Sequence, residues 1–272
     1  MTGEPVPLLV LAGGQRCGST LVQRLLCSHP RVMIWGEHGG ELRPILAAAE
    51  RLRIWTDQDA TYARDELAAW GYQGFIANLT PECPWIDDAC RAFVETLFAK
   101  PALELGRPIW GFKELRYTLS HALLLRALYP GLRVIHIVRD PRDVLRSLED
   151  WEHHPHWTRR NTEGALRYWL AVANSFIGSN ADPIVRSFVL RVRYEDLIAD
   201  TRGWSAAIAD HCALDAQSLD HRVFDKWVHS PGGYGPLDRN LLDWSALPAS
   251  LRALADDEDL HMVASAYGYD LS

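Results

Sequence analysis

At 272 residues with 48% hydrophobic side chains, the chain can bury a sizeable core as one large domain, or as one domain with an inserted lobe, and needs no second domain. Its net charge of -7 excludes a general nucleic-acid or anionic-membrane binder, since such proteins gather phosphates with a positive field, so any anion site must be local. Five cysteines, odd in number and scattered, read as reduced thiols rather than as a disulfide framework.

Residues 1–7 lack the basic start and apolar run of a signal peptide, and Leu8–Ala12 is far too short to span a bilayer. The expectation is a cytoplasmic protein with no membrane span. The run from Pro7 through Ala12 is continuously apolar and ends in Gly13-Gly14, as a strand buried on both faces of a parallel sheet does. A helix then opens near Ser19, with Leu21, Val22, Leu25 and Leu26 at helical spacing, and stops at Ser28-His29-Pro30.

The intervening loop, Gly13-Gly14-Gln15-Arg16-Cys17-Gly18-Ser19-Thr20, converges backbone N–H groups and a helix amino terminus on one point, an anion site. It resembles a P-loop, but Ser19 stands where a nucleotide-hydrolysing loop has its lysine. Arg16 can supply a guanidinium fork instead, which favours a phosphate-like ligand that is not a triphosphate. The alternative is a glycine-rich turn that merely packs tightly.

Residues 31–35 form a second candidate strand, followed by the glycine-flanked Glu37 and His38. From 41 to 106 the pattern is mostly helical and reads as an inserted lobe. Residues 109–112 form a third strand ending at Lys113, a position that is otherwise often a solvated charge. Residues 134–138 form a fourth strand running into Arg139, with Asp140 and Pro141 as N-cap and first residue of a helix. Ser147, two turns into that helix, can face the same ligand as Arg139, with Arg139–Asp140 or Arg139–Asp143 pairing as the alternative. The His153-His154-Pro155-His156 run lacks a recognised metal spacing, and no metal is expected. Residues 185–192 read as a fifth strand, and 201–272 as a mainly helical end broken by a loop at 230–236. Strands alternating with helices imply an α/β, doubly wound parallel sheet flanked by helices in a single domain spanning 1–272.

Together, Gln15-Arg16-Cys17-Gly18-Ser19-Thr20 and Val138-Arg139-Asp140-Pro141-Arg142-Asp143-Val144-Leu145-Arg146-Ser147 resemble the 5′-phosphosulfate and 3′-phosphate signatures of sulfotransferases that use 3′-phosphoadenylyl sulfate (PAPS). Arg193-Tyr194-Glu195-Asp196-Leu197 and Trp110-Gly111-Phe112-Lys113-Glu114 are similar to further segments of that family, the latter in its tyrosylprotein and carbohydrate branches. The resemblance implies a P-loop-like fold. It places Arg16, Cys17, Gly18, Ser19 and Thr20 at the 5′-phosphosulfate, Arg139 and Ser147 at the 3′-phosphate, and Tyr194 and Arg239 beside the nucleotide. It implies Glu37 as general base and Lys113 at the leaving group; His38, whose imidazole pKa suits base work, is the other candidate for the base. Glu37 or His38 capping the next helix is the structural alternative. The implied reaction is sulfuryl transfer to a small-molecule, glycan or peptide acceptor, leaving 3′,5′-adenosine bisphosphate (PAP). A small-molecule kinase and a non-catalytic nucleotide-binding protein are the competing readings. Neither acceptor nor oligomeric state is legible.

Overall fold

The computed structural model describes residues 7–149, 162–230, 233–236 and 243–271. Five strands, β1 (Leu8–Ala12), β2 (Val32–Trp35), β3 (Ile109–Glu114), β4 (Arg133–Val138) and β5 (Val189–Arg193), form one sheet in the order β2-β3-β1-β4-β5. Every neighbouring pair is parallel, with Val10 opposite Lys113 and Ile135, and Ile137 opposite Val192. A parallel sheet puts the carboxyl ends of all its strands on one edge, where α/β proteins bind ligands.

Alternation along β1 explains its continuous apolarity. Leu8, Val10 and Ala12 enter one core with Val22, Leu25, Val144 and Trp169, whereas Leu9 and Leu11 enter another with Leu46, Phe98, Phe112 and Phe176. Both faces are thus covered, so neither can be polar.

The first face is covered by α1 (Ser19–Ser28) and, later in the chain, by α7 (Pro141–Glu149), α10 (Tyr194–Ala199), α11 (Thr201–His211) and α13 (Glu258–Ala266). The other face carries α2 (Arg43–Gln58), α4 (Cys83–Val94) and α6 (Leu119–Leu128), while α8 (Thr162–Phe176) supplies residues to both cores. Among the described residues, the remaining α-helices are α3 (Ala60–Trp70), α5 (Lys100–Glu104), α9 (Pro183–Arg186) and α12 (Ala249–Arg252). Residues 43–104 are helical apart from connecting turns, as the pattern from 41 to 106 predicts. All five cysteines are free thiols, and no described helix is long and apolar enough to cross a membrane.

Two elements differ from the sequence pattern. The fifth strand begins at Val189, not 185, because Asp182 accepts hydrogen bonds from the N–H groups of Ile184 and Val185 and caps α9 behind Pro183. An Asp-Pro start outweighs the β-branched residues that follow it. The segment 230–236, expected as a loop, contributes to an antiparallel pair of β6 (Lys226–Ser230) and β7 (Gly233–Pro236). Its proline and glycines mask a short hairpin in the sequence pattern.

In the middle of the sheet, His136 of β4 is fully buried, stacked on Phe176 with ring centroids 4.0 Å apart, and its Nε2 lies 3.2 Å from the Tyr267 hydroxyl. Burial, assisted by the Arg191 cation and opposed by a backbone bond at Leu11, lowers its pKa from 6.5 to about 3. The unfolded chain therefore binds a proton that the folded one refuses. Stability should fall as pH drops from about 6.5 toward 3, by up to ~1.4 kcal/mol per unit from this residue. Urea unfolding across that range should show a smaller acid-side slope for His136→Phe; an identical slope would remove His136 from the acid lability.

Candidate functional site

At the carboxyl end of β1 the chain turns through Gly13–Gly18 into α1. Gly14 and Gly18 have φ of 92° and 90°, and Arg16 is also left-handed at 62°. This curl is fixed from both sides. The Gly13 N–H donates to the Ile137 carbonyl at 2.9 Å, and the Cys17 thiol donates to the Gly13 carbonyl at 3.1 Å. Cys17 is wholly buried, which pushes its pKa up to about 12. It remains a thiol that packs the loop, leaving its backbone as the part a ligand could meet. No side chain caps α1, so the N–H groups of its first turn, at Ser19 and Thr20, are available to an anion.

Gly18 abuts Tyr194, the first residue of α10. A β-carbon at position 18 would lie 2.3 Å from a Tyr194 ring carbon, in a backbone conformation that side chains avoid. Gly18→Ala should therefore lower stability by about 1–3 kcal/mol, read as a lower denaturant midpoint at unchanged slope; an unmoved midpoint would mean the loop yields freely.

The loop meets the fourth strand's turn directly. Arg16 Nε donates to Ser147 Oγ at 2.9 Å, and Arg139 Nη1 donates to the Arg16 carbonyl at 3.2 Å. Arg139 also lies over the Tyr194 ring at 4.4 Å, while Trp169 Nε1 donates to the Arg139 carbonyl at 2.9 Å. Asp140 accepts from the Arg142 N–H at 2.8 Å, as an N-terminal cap should, and also pairs with the Arg142 guanidinium. Asp143 pairs with Arg146 and lies 3.9 Å from Arg139. The acids that could have neutralised Arg139 are thus occupied chiefly elsewhere, and Arg139 Nε is buried without a partner among the described residues. A buried donor of that kind fits an anionic ligand.

A second cluster forms at the ends of β2 and β3. Lys113 is 5% exposed and hence not the solvated charge common at strand ends; its Nζ lies 2.5 Å from Glu37 Oε1. Arg116 Nη1 approaches Glu37 Oε2 at 3.6 Å and Glu114 Oε1 at 2.9 Å. Glu37 caps no helix; α2 starts at Arg43, with Pro44 in its first turn. His38 turns into an aromatic enclosure of Phe98, Phe112 and Tyr117, with Nε2 at 2.9 Å from the Tyr117 hydroxyl. Burial lowers its pKa despite Glu114 nearby, keeping the imidazole neutral near pH 7.

Arg16, Cys17, Gly18, Ser19, Thr20, Glu37, His38, Lys113, Arg139, Ser147 and Tyr194 all lie at or just beyond the carboxyl ends of the strands, or in the helices that follow them. Arg239 and the histidine run at 153–156 lie outside the described residues. Sequence reasoning gave no role to Glu114 and Arg116. Their only signal was an uninterrupted Lys-Glu-Leu-Arg after a buried strand, where charge is costly unless paired.

A family model described as the sulfotransferase family matches residues 7–218. Among solved structures, the sulfotransferase domain from the curacin biosynthetic pathway is 17% identical, with 98% of this chain and 99% of that chain covered and a TM-score of 0.54. The sulfotransferase domain of the Synechococcus PCC 7002 olefin synthase is 19% identical, covering 99% of this chain and 97% of that one, with a TM-score of 0.53. Mouse sulfotransferase SULT7A1, solved with PAP, is 12% identical over 98% of this chain and 89% of its own, with a TM-score of 0.50. At these identities the likeness is one of fold. No curated protein matches the chain.

Proposed function

The chain belongs to the sulfotransferase family, and from that premise we propose that it transfers the sulfuryl group of PAPS to a hydroxyl or amine of an acceptor. The observation that carries this reading is the direct contact of the β1 loop with the β4 turn, through Arg16, Ser147 and Arg139, on the sheet edge that also bears Glu37 and Lys113. Two anion-binding elements beside a carboxylate and a buried lysine suit a donor with phosphate groups at two positions.

Arg16, Gly18, Ser19 and Thr20, with the backbone of Cys17, would hold the 5′-phosphosulfate. Arg139 and Ser147 would hold the 3′-phosphate, with Tyr194 backing the Arg139 guanidinium. An acceptor hydroxyl attacks sulfur while the bond from sulfur to the 5′-phosphate oxygen breaks. Its proton passes to Glu37, and the electron pair leaves with the phosphate of PAP, where Lys113 meets the growing charge. Glu37 is preferred to His38 because its carboxylate already contacts Lys113, whereas the imidazole is enclosed by aromatic rings. Acceptor specificity is assigned to the helices of 41–106 and the carboxy-terminal segment, as parts of one domain.

The test is calorimetric titration with PAP, set against ATP with magnesium. Saturable PAP binding with no ATP binding is the expected result and would justify an acceptor screen with labelled PAPS. Binding of ATP with magnesium alone would replace this reading with that of a kinase, and PAP binding without transfer to any acceptor or to water would favour a non-catalytic nucleotide-binding protein.

A further inference from the structure

We propose that Glu114 is a positioning residue that, through Arg116 and the 36–40 turn, holds Glu37 in place when Lys113 turns to the leaving group; this rests on the reading of Glu37 as base. Glu114 ends β3, beside Lys113, and its side chain is fully buried. Its two oxygens serve different structures. Oε2 accepts from the Gly40 N–H at 2.8 Å and faces the His38 N–H at 3.4 Å, so it grips the turn that carries Glu37. Oε1 accepts from the Leu115 N–H at 2.8 Å and from Arg116 Nη1 at 2.9 Å.

Burying a carboxylate is costly unless it is fully bonded and paired. Burial pushes the Glu114 pKa up, but the Leu115 and Gly40 amides, His38 and Arg116 outweigh it and hold the group below its ordinary value. The turn needs such an anchor, since Gly39 and Gly40 both have positive φ, at 69° and 78°, and Gly36 has no neighbouring atom that would crowd a side chain. A turn clamp alone would require only Oε2. Arg116, fixed by Oε1, extends its guanidinium to the free oxygen of Glu37 at 3.6 Å and lies 5.9 Å from the Tyr168 ring of α8.

This division has a consequence for the reaction. Lys113 contacts the base at 2.5 Å, yet the proposed chemistry needs the same ammonium at the departing phosphate. Once it moves, Arg116 is the remaining cation beside Glu37 among the described residues, and Glu114 keeps it there. Before Lys113 moves, the charged and titratable groups around the base are Lys113, Glu114 and Arg116 from β3 and its following loop, and His38 and Glu41 from its own segment.

The experiment compares wild type, Glu37→Gln, Glu114→Gln, Arg116→Gln and Arg116→Lys, using labelled PAPS with water as acceptor and sulfate release as the readout, and PAP calorimetry beside it. Water attacks sulfur, the bond from sulfur to the 5′-phosphate oxygen breaks with its electron pair going to PAP, and the two protons of water are released as sulfate forms. Glu114→Gln and Arg116→Gln are expected to bind PAP within about threefold of wild type and to lose roughly 10- to 100-fold in kcat. Arg116→Lys should recover part of the rate lost in Arg116→Gln, since an ammonium there still offers the free Glu37 oxygen a cation. If Glu37→Gln is slow but both Gln variants retain wild-type kcat, the positioning role is overturned. If Glu37→Gln itself keeps its rate, or PAP does not bind, the underlying reading falls and this inference with it. Arg116 is partly exposed, so its variants keep the test decisive should Glu114→Gln not fold.

Discussion

Glu37→Gln should lower kcat for sulfuryl transfer by about 10²- to 10⁴-fold, the range expected for loss of a positioned general base, while PAP affinity stays within a few-fold. The amide matches the carboxylate in size but cannot take the acceptor's proton. PAP affinity is spared because the groups assigned to phosphate lie on the β1 loop and β4 turn, and none is bonded to Glu37 in the contacts described. The substitution should also cost stability, since it leaves the nearly buried Lys113 ammonium without its ion-pair partner. Assays belong well below the variant's melting temperature. His38→Gln is the control: with its ring enclosed by Phe98, Phe112 and Tyr117, it should weaken packing and leave kcat within a few-fold. The opposite ranking, His38→Gln slow and Glu37→Gln normal, would transfer the proton to the imidazole.

Arg139→Ala should weaken PAP binding by roughly 10- to 100-fold, the equivalent of about 1.5–3 kcal/mol for hydrogen bonds to a charged group. Two losses coincide in this variant. The guanidinium goes, and with it the bond to the Arg16 carbonyl and the cover over Tyr194, so the β1 loop loses a brace as well as the ligand losing a cation. Ser147→Ala removes a neutral hydroxyl that also accepts from Arg16 and should cost less, about 0.5–1.5 kcal/mol. Calorimetry at two salt concentrations separates the cases, because loss of the cation should flatten the salt dependence and loss of the hydroxyl should not. Arg139→Ala binding PAP within threefold of wild type would remove Arg139 from the nucleotide site.

The sheet and the two strand-to-helix turns after β1 and β4 were legible because each is encoded locally. β1 reads as apolar at every position since both its faces are covered, and a strand, a glycine-rich loop and a helix start follow one another within Leu8–Ser19 without interruption. Arg139, Asp140, Pro141 and Ser147 likewise form one strand-to-helix unit. Glu114 and Arg116 were not legible, because their meaning lies in contacts to Glu37 and Gly40, more than seventy positions away. The start of β5 was missed where Asp182 and Pro183 capped a helical turn through hydrogen bonds that no apolar pattern contains. The β6–β7 pair was missed because strand signals depend on side chains, and Gly233, Gly235 and Pro236 supply few.

The position of β1 in the sheet also bears on how the protein is made. Of the five strands of this sheet, the one synthesised first is the one that ends in the middle, between β3 and β4, yet β3 begins about a hundred residues later and β4 later still. Until both have been synthesised, Leu8–Ala12 is an apolar segment with two unpaired edges, and closing the sheet depends on pairing distant in sequence. A nascent or truncated chain ending before β4 therefore carries this strand as its principal aggregation hazard, and chaperone occupancy during synthesis should concentrate on it.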